Sequence, residues 1–140
     1  MAIYYSSKLR IPFDEAVEQI TAGLKEQGFG IITTIDLDET LKQKHGISFR
    51  KYKILGACNP TFAYQAVTLE SQIGVMLPCN VVVQQHENGE VEVSAINPLE
   101  TMNKEATSER LNKIASDISE KLRAAIDNLH RISSEKLWRI

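Results

Sequence analysis

CNVVVQQHENGEVEVSAI, residues 79–96, decides the architecture. Its first half is a β-branched run, Val81-Val82-Val83, and its second half alternates Val91, Val93 and Ala95 with Glu90, Glu92 and Ser94. Between them stands Glu87-Asn88-Gly89, and Asn-Gly is the strongest short-range signal for a tight hairpin turn. Two strands joined this way run antiparallel. A doubly wound parallel sheet, whose strands are continuously apolar and separated by helices, is therefore disfavoured.

Upstream, LGACNPTFAYQAVTLES, residues 55–71, hands an apolar run to a helix. Asn59 is a preferred N-cap residue, and Pro60 suits the first helical position, where its missing N–H costs nothing. Phe62, Ala63, Ala66, Val67 and Leu69 are the expected buried stripe. The strand before it is expected over Phe49–Ala57, with Tyr52, Ile54 and Gly56 facing one way and Lys53, Leu55 and Ala57 the other. Earlier still, Ile3–Leu9 reads as a short strand. A helix opens at Pro12, buries Phe13, Ala16, Val17, Ile20 and Leu24, and is capped by Gly28. Phe29–Ile35 is a strand with Phe29, Ile31, Thr33 and Ile35 on one face. Asp36–Lys44 is a short helix in which Asp36 and Glu39 have capping-box spacing, and Gly46 ends it.

Downstream, Pro98 stops the sheet. Leu111, Ile114, Ala115, Ile118, Leu122, Ala125, Ile126 and Leu129 mark a long amphipathic helix from about Thr107 to Arg131. The order β-α-β-α-β-α-β-β-α predicts a two-layer α+β sandwich, a mostly antiparallel sheet with helices on one face. One domain is expected over residues 1–131, with 132–140 as a C-terminal tail whose Trp138 and Ile140 either fold back or dock on a neighbour. The uncovered sheet face has apolar area from Tyr4, Tyr5, Val82 and Ile96, which predicts a homodimer.

Composition narrows the function. In 140 residues, 43% are apolar and 24% charged, and the formal charge of −2 provides no footprint for nucleic acid. No run approaches the ~20 apolar residues needed to span a bilayer. The N-terminus lacks a secretory apolar core, so a cytoplasmic protein with reduced thiols is expected.

Cys58 and Cys79 are the two cysteines, each followed by Asn, with Pro60 two residues after the first and Pro78 directly before the second. A thiol before a helix N-cap lies near the positive end of the dipole, which favours thiolate, and free amides there can receive an anion. The competing reading is structural, since Cys is a small apolar residue suited to a tight corner. No Cys-x-x-Cys motif is present. Antiparallel neighbouring strands would bring the two thiols to one end of the sheet, and parallel ones would separate them. His45 and His130 sit in last helical turns and His86 before the hairpin turn, all with ordinary structural explanations. No close pair of ligands has zinc-site spacing, so a metal would have to be assembled from residues distant in sequence. Neither metal nor cofactor is expected. Asp14-Glu15 and Asp38-Glu39 are first-turn acids, Glu90 and Glu92 form a solvent face, and Gly28-x-Gly30 precedes rather than follows its strand.

The pair LGACNP, residues 55–60, and MLPCNVVV, residues 76–83, resembles the signature of the bacterial and archaeal family called domain of unknown function 302. PFDEAVEQITAGLKEQGFGIITTIDLDETLKQK and VEVSAINPLETM extend the likeness to about Ile3–Leu129. The resemblance implies a small α+β domain, often dimeric, and carries no catalytic residue onto Cys58 or Cys79.

Three functions stay open at this point. The first is a small-molecule- or anion-binding domain with its site at Cys58, Asn59, Pro60, Cys79 and Asn80. The second is a thiol redox or sulfur-transfer activity with Cys58 as nucleophile and Cys79 as resolving partner. The third is a purely structural dimeric subunit.

Overall fold

The computed structural model describes residues 3–102 and 108–138, with side chains as far as Leu129. The strands are β1 (Tyr4–Leu9), β2 (Gly30–Asp36), β3 (Tyr52–Cys58), β4 (Cys79–Gln85) and β5 (Val91–Ile96). The helices are α1 (Phe13–Glu26), α2 (Leu37–His45), α3 (Pro60–Leu69), α4 (Pro98–Thr101) and α5 (Glu109–Trp138). A 3₁₀ turn, Ser71–Met76, follows α3. The strands form one fully antiparallel sheet in the order β1-β5-β4-β3-β2, the α+β architecture predicted from the hairpin.

Register explains the two faces. Leu55 pairs with Val81, Ala57 with Cys79, Val83 with Val93 and Leu9 with Val91, and all of these side chains are buried. Onto this face pack α1, through Phe13, Ala16, Ile20 and Leu24, and α5, through Ile114, Ile118, Leu122, Ala125, Ile126 and Leu129. Strands with one buried face alternate at period two, which is why residues 79–96 read so clearly. Tyr5, expected on the uncovered face, pairs with buried Ala95 and packs against the core. The opposite face holds Tyr4, Tyr52, Ile54 and Val82, with no helix of the described residues over them, while Ile96 at its edge also packs against the core.

Local rules were upheld in some places and overridden in others. Gly28 (φ +88°) and Gly46 (φ +65°) stand in the left-handed region after α1 and α2, as the helix-end glycines predict. The expected capping box at Asp36 does not form: its side chain makes no cap bond and lies 3.5 Å from Lys53 Nζ. In β2 a bulge between Ile31 and Thr33 breaks the predicted alternation, so Ile31 faces Ala57 while Thr33 faces Gly56 on the other side. Of the expected α3 stripe only Ala66 is buried; Val67 is exposed because α3 lies at the rim of the core. Strand β3 begins three residues later than expected and ends at Cys58.

Glu92, expected on a bare solvent face, accepts a hydrogen bond from Ser6 Oγ at 2.6 Å and lies 2.9 Å from His86 Nε2. The Ser6 bond, helped by His86, holds its carboxyl below the usual range. The backbone of α5 continues through much of the segment expected as a tail, to Trp138. The side chains of His130 and Trp138, and all of Ile140, lie outside the described residues. Among the described residues no helix is long and apolar enough to cross a membrane.

Candidate functional site at the start of the third helix

Because β3 and β4 are antiparallel neighbours, the C-terminal end of one lies beside the N-terminal start of the other. Cys79 opens β4 opposite Ala57, and Cys58 is the next residue along β3. The topology thus settles the question that spacing left open, and both thiols come to the same end of the sheet. Both are reduced; Cys58 is half-buried and Cys79 is buried. Burial pushes the Cys79 thiol up to about 11, and the nearby Cys58 adds to the effect, since two thiolates in an apolar setting repel.

The local sequence builds the corner. Asn59, in extended conformation, accepts at Oδ1 from the Phe62 amide at 3.4 Å, while its carbonyl accepts from Ala63 N–H at 2.9 Å. Pro60 has no N–H. Within this first turn the cap, the helix ladder and the proline leave the Thr61 amide for a ligand. The anion cradle expected from a helix N-terminus is therefore reduced to one donor. Across from it, the Leu77–Pro78 peptide is cis, and the Pro78 ring packs beside Gly56 of β3.

Between these pieces lies a pocket of about 210 Å³, lined by Phe29, Ile32, Cys58, Asn59, Phe62 and Ala63 together with Pro78, Cys79 and Ile118. Its wall is almost wholly carbon and sulfur, with Asn59 as the polar residue. Cys79 also borders a smaller, more enclosed cleft of about 30 Å³ lined by Met76, Leu77, Met102, Leu111 and Ile118.

Of the residues predicted for the site, Cys58, Asn59 and Cys79 are brought together. Asn80 is not: it pairs with Gly56 and opens into a separate hollow on the uncovered sheet face. His45 is exposed in the last turn of α2 and His86 is paired with Glu92, so neither joins the thiols. Among the described residues no group of three or more His, Cys, Asp or Glu side chains could hold a metal ion. Ile32, Phe62 and Ile118 line the pocket without having been singled out for it. Only Pro78, placed directly before Cys79, carried a sequence signal.

The chain matches the family described as "Domain of unknown function DUF302" over residues 5–129. It is also similar to a crystal structure of an uncharacterized conserved protein DUF302 from Bacillus stearothermophilus. That likeness has 30% sequence identity and a TM-score of 0.82, and covers 91% of this chain and 98% of the other. Among curated proteins, none matches the sequence.

Proposed function

The chain belongs to the family of the domain of unknown function DUF302, and from that premise we propose that it is a small-ligand-binding module whose site is the Cys58 pocket. The observation that carries this reading is the apolar pocket at the Cys58–Asn59–Pro60 corner, whose one polar side chain is Asn59. A volume of about 210 Å³ is below the roughly 300–1,000 Å³ of drug-sized sites, so the ligand is small. Its body is apolar, to match Phe29, Ile32, Phe62 and Ile118. One polar or anionic end meets the Asn59 side chain, the polar residue of the wall.

Thermal unfolding against short-chain carboxylic acids, aromatic carboxylates and an apolar fluorophore tests the proposal. At least one should raise the melting temperature of the native chain and leave that of Ala63→Phe, which fills the pocket, unchanged. No shift with any of them, or an equal shift in Ala63→Phe, overturns it.

A thiol activity is the second reading, favoured by the meeting of Cys58 and Cys79 on one pocket. With Cys79 held protonated by burial, Cys58 would be the attacking sulfur. On a peroxide it would take one oxygen to become sulfenic acid, releasing the alcohol or water. The Cys79 thiol would then condense with it, forming the disulfide and water. Intact mass after peroxide treatment checks this: loss of two hydrogens supports it, and a stable sulfinic acid at Cys58 counts against it.

A further inference from the structure

Soft sulfur donors are concentrated at this end of the molecule. The chain has two cysteines and three methionines, and every one except Met1 lines the Cys58 pocket or the cleft that adjoins it. The two cavities share Ala66, Leu77, Cys79 and Ile118, so they are separated by one layer of side chains with the Cys79 thiol in it. Cys58 stands on one side of that layer; Met76 and Met102 stand on the other. Met76 is 37% exposed, which places a thioether between solvent and the buried thiol.

We infer that this end of the sheet is a site for a soft monovalent cation, Cu(I), held between Cys58 and Cys79 with Met76 as the thioether at its way in. The inference takes the Cys58 pocket of the preceding proposal as its place and gives it a second class of ligand. Thiolate and thioether sulfur select Cu(I), while hard ions need oxygen donors. Zinc needs four N, S or O ligands, and the walls here supply neither imidazole nor carboxylate. A monovalent d¹⁰ ion, by contrast, is satisfied by two or three sulfurs. Its charge offsets one of the two thiolates, lowering the cost of anionic sulfur among carbon atoms. The exposed methionine supplies a soft ligand that can pass the ion inward by exchange, without a hydrated intermediate in the apolar pocket.

The experiment is an anaerobic titration of the full chain with Cu(I) against a competing bicinchoninate chelator, with X-ray absorption of the loaded protein. One equivalent should bind, and the absorption spectrum should show a first shell of sulfur alone, two or three atoms. Cys58→Ala and Cys79→Ala should each lose more than about a hundredfold in affinity, since even outer-shell partners of a metal are worth 10–100-fold. Met76→Leu, nearly volume-conserving, should lose about tenfold or less and load more slowly. Nitrogen or oxygen in the first shell, or full affinity in Cys79→Ala, overturns the site. The native-chain spectrum decides even if a cysteine variant folds poorly. The two proposals fail separately. Sulfur-bound Cu(I) with no thermal shift from the apolar panel sinks the apolar-ligand reading and leaves this one. A shift from that panel with no Cu(I) bound does the reverse.

Discussion

A β-carbon built on Gly56 would overlap the Thr33 hydroxyl and lie 2.8 Å from Pro78 Cγ, both on the uncovered face of the sheet. Thr33 reaches that face because the β2 bulge turns it there, and Pro78 stands directly before Cys79, the first residue of β4. Gly56 is thus the gap through which the bulge and the proline corner meet, and the Cys58 pocket depends on both. Gly56→Ala is expected to destabilise by about 2 kcal/mol or more, as overpacking in a tight core does, with the loss read from the midpoint of urea unfolding. Cys79 carries a different kind of consequence. Its thiol is raised from an ordinary value of 9.0 to about 11 by burial first and by Cys58 second. Below pH 9 both folded and unfolded chains hold the proton, and the contribution to stability is constant. Between pH 9 and about 11 the unfolded chain releases it while the folded chain keeps it, so stability falls by about 1.4 kcal/mol per pH unit. Unfolding of the reduced, metal-free chain across that window, compared with Cys79→Ala, checks the sign. The variant should lack this part of the alkaline loss.

At the scale of elements, one device is used twice. Asn59-Pro60 opens α3 and Asn97-Pro98 opens α4, each asparagine accepting from an amide of the turn it caps. Only the first was read as a helix start, because an amphipathic stripe followed it. The helix that Pro98 opens has four residues in all, too few to show a period, and the proline registered only as the end of a strand. The second cap is the more deeply embedded. Asn97 is 3% exposed, its Oδ1 accepts from Leu99 N–H at 3.2 Å and from Ser119 Oγ at 2.9 Å, and its own amide donates to Ile3 O at 2.7 Å. Ser119 is itself buried within α5, so this pair ties the end of β5 to the long helix. Ser119→Ala should cost about 1–2 kcal/mol by leaving buried Asn97 short of a donor, again measured by urea unfolding. Strands β4 and β5 and helix α1 were legible because each buries one face against many partners and repeats a period. The bulge, the α4 cap and the pocket wall were not, because each is fixed by a single contact between residues far apart in sequence. For the site, sequence placed Cys58 at its corner. It could not say that Cys79 stands beside it until strand direction was known, nor that Asn80 turns to the other face.

For the whole molecule, the open sheet face is where a second copy would sit if the proposed homodimer forms. Five strands about 4.8 Å apart and six residues about 3.4 Å apart make a face of about 24 by 20 Å, on the order of 500 Å² in projection. A standard interface covers about 800 Å² per partner, so this face lies toward the small end of stable association. Its character is mixed. Ile54 and Val82 are half-buried at its centre, Tyr4 and Ile35 are exposed at its edges, and Glu92 with Ser6, His86 and Lys8 makes one end polar. An isologous pair would set apolar centre on apolar centre and leave the polar ends at the rim, the usual anatomy of an interface. Modest area with a wet rim predicts a dimer that dissociates on dilution rather than an obligate one. Sedimentation velocity over a hundredfold range of concentration should therefore show the mass fall from two chains toward one. Val82→Lys, which puts a charge at the middle of the contact without touching the helix-covered core, should leave the chain monomeric and folded at every concentration. A monomer throughout for the native chain would assign the face to solvent, and a dimer unaffected by Val82→Lys would move the interface elsewhere.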